Sequence, residues 1–398
     1  VFSGCANNSN LVRPKSNLVG PKSADINFPG NFYTKQIKQC SAMGPETFSR
    51  YFNVRVVEDL IGYDWHTDWM TRSNSRTVKH ENITDPIKIF LAGTHNAIGN
   101  GNQSNIKEAK RLLVELAEAD TLYDSIGFHE LKSKPLCWKD NNPNSPCWSH
   151  EYSYASAVFG NYMVAAIWLN DYLSNEEFKT VDMYIKKMYK KFLEPKAFWK
   201  GSRGFYKMAN GGTSVLIYAA WIKDKQLASE QITFRLKQMN QMFYEDGYIN
   251  NNSFRGLRAQ WYHSYGVDAA LGYVYIAKLW GAKIPKELQD KLINSSKVVN
   301  LAITDYEAFS NRPFSGSYST NKILNKKHAR MHTHQHAIAL DTLMMITTGV
   351  KLEHDPTYLR KRSDYGVDEL IGFNPNCITK EKRANSRKGL LYVGNTSK

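Results

Sequence analysis

Arg255, Arg258, Trp261, Tyr262, His263 and Tyr265 fall within eleven consecutive residues, Arg255 to Tyr265. Such a set can handle a carboxylate and move a proton. A proton on the carbon beside a carboxylate is too weakly acidic to remove while that group keeps its full negative charge. A site that removes it must first disperse the charge with Arg, His or Asn donors. A phenolate can then take the proton, because a nearby cation lowers a Tyr pKa from roughly 10 towards the working pH. The same hydroxyl can afterwards protonate a leaving oxygen. The apolar spacing predicts a helix from Ser264, with Arg258 on the incoming segment and Tyr265 in the first turn, both facing one cleft.

The run Arg-Gly-x-Arg-Ala-x-x-Tyr-His-x-Tyr, followed by an apolar stretch ending in Trp280-Gly281, resembles the signature of the alginate lyases of polysaccharide lyase family 5. The resemblance extends from about Phe198 to Trp280. It implies an all-α fold, an (α/α) toroid of antiparallel helix pairs, and β-elimination of mannuronate-type polymers. Tyr265 would be the proton-transferring residue and Arg258 a carboxylate neutraliser, with no cofactor. The resemblance also implies an Asn-His pair opening an upstream helix. In the segment Met208 to Thr213, Asn210 matches that pair, but Gly211 stands where its His belongs. Three readings stay open: His263 or His150 supplies the missing donor, the carboxylate is held differently, or the toroid binds carbohydrate without cleaving it.

The chain has 398 residues, a formal charge of +15 and a pI near 9.3, which point to an anionic partner. Its basic residues are scattered, and no helix-turn-helix, zinc-finger or RNP-type pattern accompanies them, which argues against nucleic acid. The 23 Tyr and nine Trp favour sugar, since aromatic rings stack on pyranose faces while Lys and Arg hold carboxylates. For any one of these rings, core packing is the ordinary role. An acidic polysaccharide is the expected partner, with Arg255, Trp261, Tyr262, Trp148, Arg330 and His334 as its binding residues.

Cys5 ends a Phe-Ser-Gly-Cys run similar to a bacterial lipobox, and residues 1–30 read as an Asn, Ser, Pro and Lys-rich tether before a single domain over 31–398. Membrane contact is expected only through a lipid anchor at Cys5. Four cysteines remain. Cys137 and Cys147 could close a polar loop, a link worth roughly 2–3 kcal/mol, and Cys40 with Cys377 could join the ends of the domain. Both pairings fit a periplasmic or cell-envelope location. No apolar run approaches the roughly 20 residues of a membrane span.

Helical stripes position these motifs. They comprise Ile106, Ala109, Leu113 and Leu116; Val158, Tyr162, Ala165 and Leu169; and Val181, Ile185, Met188 and Phe192, stopped by Pro195. Further stripes are Ile232, Leu236, Met239 and Phe243; Val267, Ala270, Leu271 and Val274; and Ile338, Thr342, Met345 and Ile346. Short loops at one rim would hold such a toroid together, and long loops at the other would form a cleft. The Gly and Asn-rich stretch 93–102 reads either as a lid or as a plain surface loop.

His150 would sit at a loop-helix junction, where capping is as ordinary a role as catalysis. His332, His334 and His336 have spacing that a metal could use, but no Cys or carboxylate nearby completes a ligand set, so no metal is assigned. Glu151, Asp246, Asp268 and Asp341 leave a two-carboxylate glycoside hydrolase as the enzymatic alternative. A glucuronan lyase and a non-catalytic carbohydrate-binding toroid are the others.

Overall fold

The computed structural model describes residues 18–29, 54–61, 85–99, 101–123, 149–198, 205–250, 252–254, 259–311 and 337–353. Among them every regular element is a helix. The long ones are α1 (Asp85–Gly99), α2 (Gln103–Glu118), α3 (Ser149–Leu169), α4 (Asn175–Met188), α5 (Phe205–Trp221), α6 (Lys225–Met242), α7 (Ala259–Leu279), α8 (Lys286–Thr304) and α9 (Ala337–Thr348).

Apolar pattern decides which helices lie inside. On α2 the buried residues Ile106, Ala109, Leu112, Leu113 and Leu116 form one stripe, so the opposite face stays in water. On α5, Val215, Leu216, Ile217 and Ala219 are all fully buried, so both sides must be covered. Val215 and Ile217 join a core built with α1 to α4, and Leu216 and Ala219 join one built with α6 to α9. Helices α1, α3, α5, α7 and α9 each pack on the next as an inner layer, while α2 packs on α4 and α6 on α8 outside them. The architecture is the incomplete (α/α) toroid of helix pairs that the sequence predicts.

The two rims differ. Inner helices lead into outer ones through residues 100–102, 170–174, 222–224 and 280–285. Gly101 (φ +64°) and Gly281 (φ +80°) make two of these turns, and Asn102, Ser174 and Asp224 cap the helices that follow. These turns share a rim. Phe178, at the start of α4, stacks on Trp221, at the end of α5, with ring centres 5.3 Å apart. Lys110, midway along α2, reaches Glu177 in the first turn of α4 at 2.8 Å. Outer helices lead back to inner ones through the much longer stretches 119–148, 189–204, 243–258 and 305–336, so the inner helices begin at the opposite rim.

Several expectations are corrected. Residues 18–29, read as part of a tether, pack on the helical body: Ile26 is fully buried, Asn27 N donates to Trp280 O at 2.7 Å, and Ser229 Oγ donates to Pro21 O at 2.7 Å. Phe28 contacts Trp280 at the end of α7 and lies under Lys225 at the start of α6, so α5 and α7 end at the same rim. The segment comes so close that a Cβ on Gly20 would lie 1.9 Å from Thr233 Oγ1. The stretch 93–102 is not a lid. Through Gly99 it is the last half of α1, where Thr94 and Ala97 are buried and Thr94 Oγ1 donates to Phe90 O.

Pro195 does not end its helix either. A π turn over Tyr189–Leu193 opens the backbone ladder, and a last helical turn, Glu194–Ala197, carries the proline. In α9 the buried side chains are Leu340, Leu343 and Met344, whereas Met345 is 42 % exposed. Met345, a member of the predicted stripe, therefore faces away from the core.

Replacing Ile26 with Ala should cost about 2–4 kcal/mol in denaturant unfolding, the range for deleting a buried aliphatic side chain. A tether would show no change.

Candidate active-site rim

Three neighbouring inner helices, α3, α5 and α7, each carry a candidate close to their first residue. His150 is the second residue of α3, Asn210 lies in the second turn of α5, and Tyr265 lies in the second turn of α7. Since α3 packs on α5 and α5 on α7, these turns form adjacent parts of one rim. Unpaired N–H groups at helix N-termini carry partial positive charge, so that rim favours anions. The side chains of His150, Asn210, Glu151, Trp261 and Asp341 lie outside the described residues, although their helical backbone lies within them. Arg255, Arg258, Trp148, Arg330, the histidines from His332 to His336 and all five cysteines lie outside altogether, and with them both proposed disulfides.

The entry to α7 differs from the sequence reading: the helix begins at Ala259 rather than Ser264. Its first turns are anchored on two sides, by α8 and by the segment that carries Asn252 and Ser253. Gln260 Nε2 donates to Ala302 O on α8 at 2.7 Å, and Asn252 Nδ2 donates to Tyr262 O at 2.9 Å. Asn252 comes that near because residue 266 is glycine; a Cβ there would lie 2.6 Å from the amide nitrogen. The segment 243–254 is held as well. Gly247 (φ +91°) lies against the α8 backbone, where a Cβ would be 2.3 Å from Asn294 C. Arg255 and Arg258 therefore enter the chain between two fixed ends, Phe254 and Ala259.

His263 is the centre of that anchorage. Ser253 Oγ accepts from Ile249 N at 2.7 Å and lies 2.8 Å from His263 Nδ1. His263 Nε2 faces Ser295 O at 3.1 Å and must donate to it. The ring is thus the neutral Nε2–H tautomer with both nitrogens engaged. It is fully buried beside Tyr248 and Phe309. Burial pushes its pKa down to about 4, with the Ser295 bond and the Asp246 charge opposing the shift. Proposed as a carboxylate donor, His263 instead has no free N–H and no path to solvent. Its observed work is to fasten the segment before Arg255 to α7 and α8.

Tyr265 faces the core shared by α5 to α9 and is 3 % exposed. Tyr262, one turn earlier, is half-buried against the same core. The hydrolase carboxylates are not brought together among the described residues: Asp268 is buried, while Asp246 is exposed in a turn and accepts from Tyr248 N. No group of His, Cys, Asp or Glu there could hold a metal ion, and no helix is long and apolar enough to cross a membrane. Sequence reasoning missed Asn252, Ser253 and Ser295. Nothing in their spacing marks them, because they meet His263 and Tyr262 only after α8 packs beside α7.

The titration of His263 gives a stability test. Its folded pKa is depressed from about 6.5 in the unfolded chain, so the unfolded state binds the extra proton as pH falls. The contribution is complete above pH 6.5 and is lost on acidification towards pH 4, a change on the order of 3 kcal/mol. Urea unfolding of His263→Gln should show lower stability at pH 7 but a shallower loss between pH 6.5 and 4 than the wild type.

No family model matches the chain, and no curated protein matches it in sequence. Among solved structures it is similar to alginate lyase A1-III from Sphingomonas species A1, with 13 % identity and a TM-score of 0.47 over 92 % of this chain and 99 % of that one. It is likewise similar to a Tyr-to-Phe variant of alginate lyase A1-III complexed with a tetrasaccharide, again with 13 % identity and a TM-score of 0.47, over 77 % of this chain and 87 % of that one.

Proposed function

We propose that the chain is a polysaccharide lyase that cleaves a 1,4-linked uronic acid polymer, of polymannuronate or glucuronan type, by β-elimination. The observation that carries this reading is the convergence of Asn210 and Tyr265 near the starts of two adjacent inner helices, with Arg255 and Arg258 in the segment entering the second. Arg258 and Asn210 would disperse the charge of the substrate carboxylate, together with the positive ends of α5 and α7. Tyr265 would take the C5 proton as the C–H bond breaks. The electron pair would form the C4–C5 double bond, and the C4–O bond to the leaving sugar would break. The oxygen leaves with a proton from the same phenol.

One residue can serve both transfers only when proton and leaving group lie on the same side of the ring. Mannuronate and glucuronate satisfy this, whereas guluronate and iduronate need a second, opposed base. His150 is the remaining histidine candidate for the position where the related motif has a histidine and this chain has Gly211. The protein's place would be the periplasm or cell envelope, with any lipid anchor at Cys5.

A second reading, a toroid that binds such a polymer without cleaving it, is favoured by Gly211 together with the buried, neutral His263. The two readings separate at one atom. Tyr265→Phe should reduce turnover at least 1000-fold, in the upper part of the range for general acid–base groups, while binding of the polymer stays within a fewfold in calorimetry. A variant that keeps near-normal turnover would exclude Tyr265 from the chemistry. Arg258→Ala should lower kcat/KM by about 100- to 1000-fold, about 2.7–4 kcal/mol of transition-state stabilisation.

A further inference from the structure

A cation lies beneath this rim in a place the reaction itself does not use. Arg235, on outer helix α6, is fully buried. Its Nη1 donates to Gln238 Oε1 at 3.0 Å and its Nη2 donates to Ala197 O at 3.1 Å, at the end of the helical turn before α5. On its other side it meets α5 at Gly212, where a Cβ would lie 2.8 Å from Arg235 Nε, 3.0 Å from Gln231 Nε2 and 3.0 Å from the Tyr273 ring of α7. One planar guanidinium therefore bonds the segment before α5 and lies against α5 at Gly212, the glycine that the Tyr273 ring of α7 also approaches. Gly212 is two residues from Asn210.

We propose that Arg235 is a positioning residue for the rim, holding the Asn210-bearing turn of α5 in register with α7 and hence with Tyr265. The inference rests on the reading that Asn210 and Tyr265 act on one substrate. Burial pulls the Arg235 pKa down to about 10, so the group stays charged at neutral pH. A buried charge is a poor source of stability, since an apolar side chain of similar volume often fills such a place at lower cost. What the guanidinium supplies and an apolar chain does not is direction: a fixed N–H vector that accepts one placement of Ala197 O, on a plane whose Nε edge packs against Gly212. An error of about 1 Å in a reacting group can cost on the order of 100-fold in rate.

The test compares full-length wild type, Arg235→Met, Arg235→Lys and Gly212→Ala by two measurements: amide hydrogen exchange across the chain, and kcat and KM on a uronate polymer. In Arg235→Met, exchange should rise about tenfold or more over residues 205–215 and stay unchanged in α4 and α8. Its kcat should fall roughly 10- to 100-fold with KM within about threefold. Arg235→Lys, which keeps the charge without the fork, should lie between Met and wild type. Should Arg235→Met fail to fold, Gly212→Ala displaces the guanidinium without removing it and should give the same local rise.

Uniform loosening of the whole chain, or an unchanged kcat in a well-folded Arg235→Met, would overturn the proposal. If the wild type turns over no uronate polymer, the lyase reading fails by itself. Exchange over 205–215 then still decides whether Arg235 holds α5, and no local rise there overturns the proposal.

Discussion

From Gly212 to Ala219 helix α5 leaves no residue in water, and covering it determines much of the architecture. Its residues alternate between two cores, Val215 and Ile217 on one side and Leu216 and Ala219 on the other, so α3 and α7 must flank it. Helices with a single apolar stripe, such as α2, can then only form the outside. Short capped turns keep each inner helix next to its outer partner, which leaves the long connections to the opposite rim. The placement of the chemistry follows from these packing demands: residues near the starts of α3, α5 and α7 are neighbours because the helices behind them share cores.

The rim that results is electrostatically suited to an anion before any side chain is counted, because several helix N-termini end there. The chain's excess of 15 positive charges adds a long-range attraction of the same sign. A reaction that removes a proton beside a carboxylate needs this bias, since its main obstacle is the negative charge already present. Two buried polar devices give the rim its rigidity. His263 fastens the segment before Arg255 to α7 and α8, and Arg235 fastens the segment before α5 to α6 and packs against α5 at Gly212. Both use buried, hydrogen-bonded polar groups to fix geometry.

Much of this was legible in the sequence, with informative exceptions. Stripes such as Ile106 to Leu116 and Ile232 to Phe243 announced their helices because a one-sided apolar pattern has one solution. The stretch 93–102 misled because Gly and Asn weaken helix propensity, yet Phe90, Thr94 and Ala97 are buried and tertiary packing outweighs that preference. The segment 18–29 looked like a tether because it has no periodicity; it is held by the bond from Asn27 N to Trp280 O and by the bond that Pro21 O accepts from Ser229 Oγ, and no apolar pattern encodes either. His263 looked catalytic from its neighbours in sequence. Only the approach of Ser253 and Ser295 shows that both its nitrogens are occupied. The resemblance located Asn210 and Tyr265, but the role of Arg235 depends on contacts spanning some 38 residues to Ala197 and could not be read from spacing.

The most direct measurement is the ultraviolet absorbance of unsaturated uronate after incubating the wild-type protein with polymannuronate, polyguluronate, glucuronan and hyaluronan. Our account predicts a rise on polymannuronate or glucuronan and little on polyguluronate, because a lone Tyr265 can serve only the same-side geometry. A rise largest on polyguluronate would contradict Tyr265 as the sole acid and base, and a flat trace on all four polymers would contradict the lyase assignment itself.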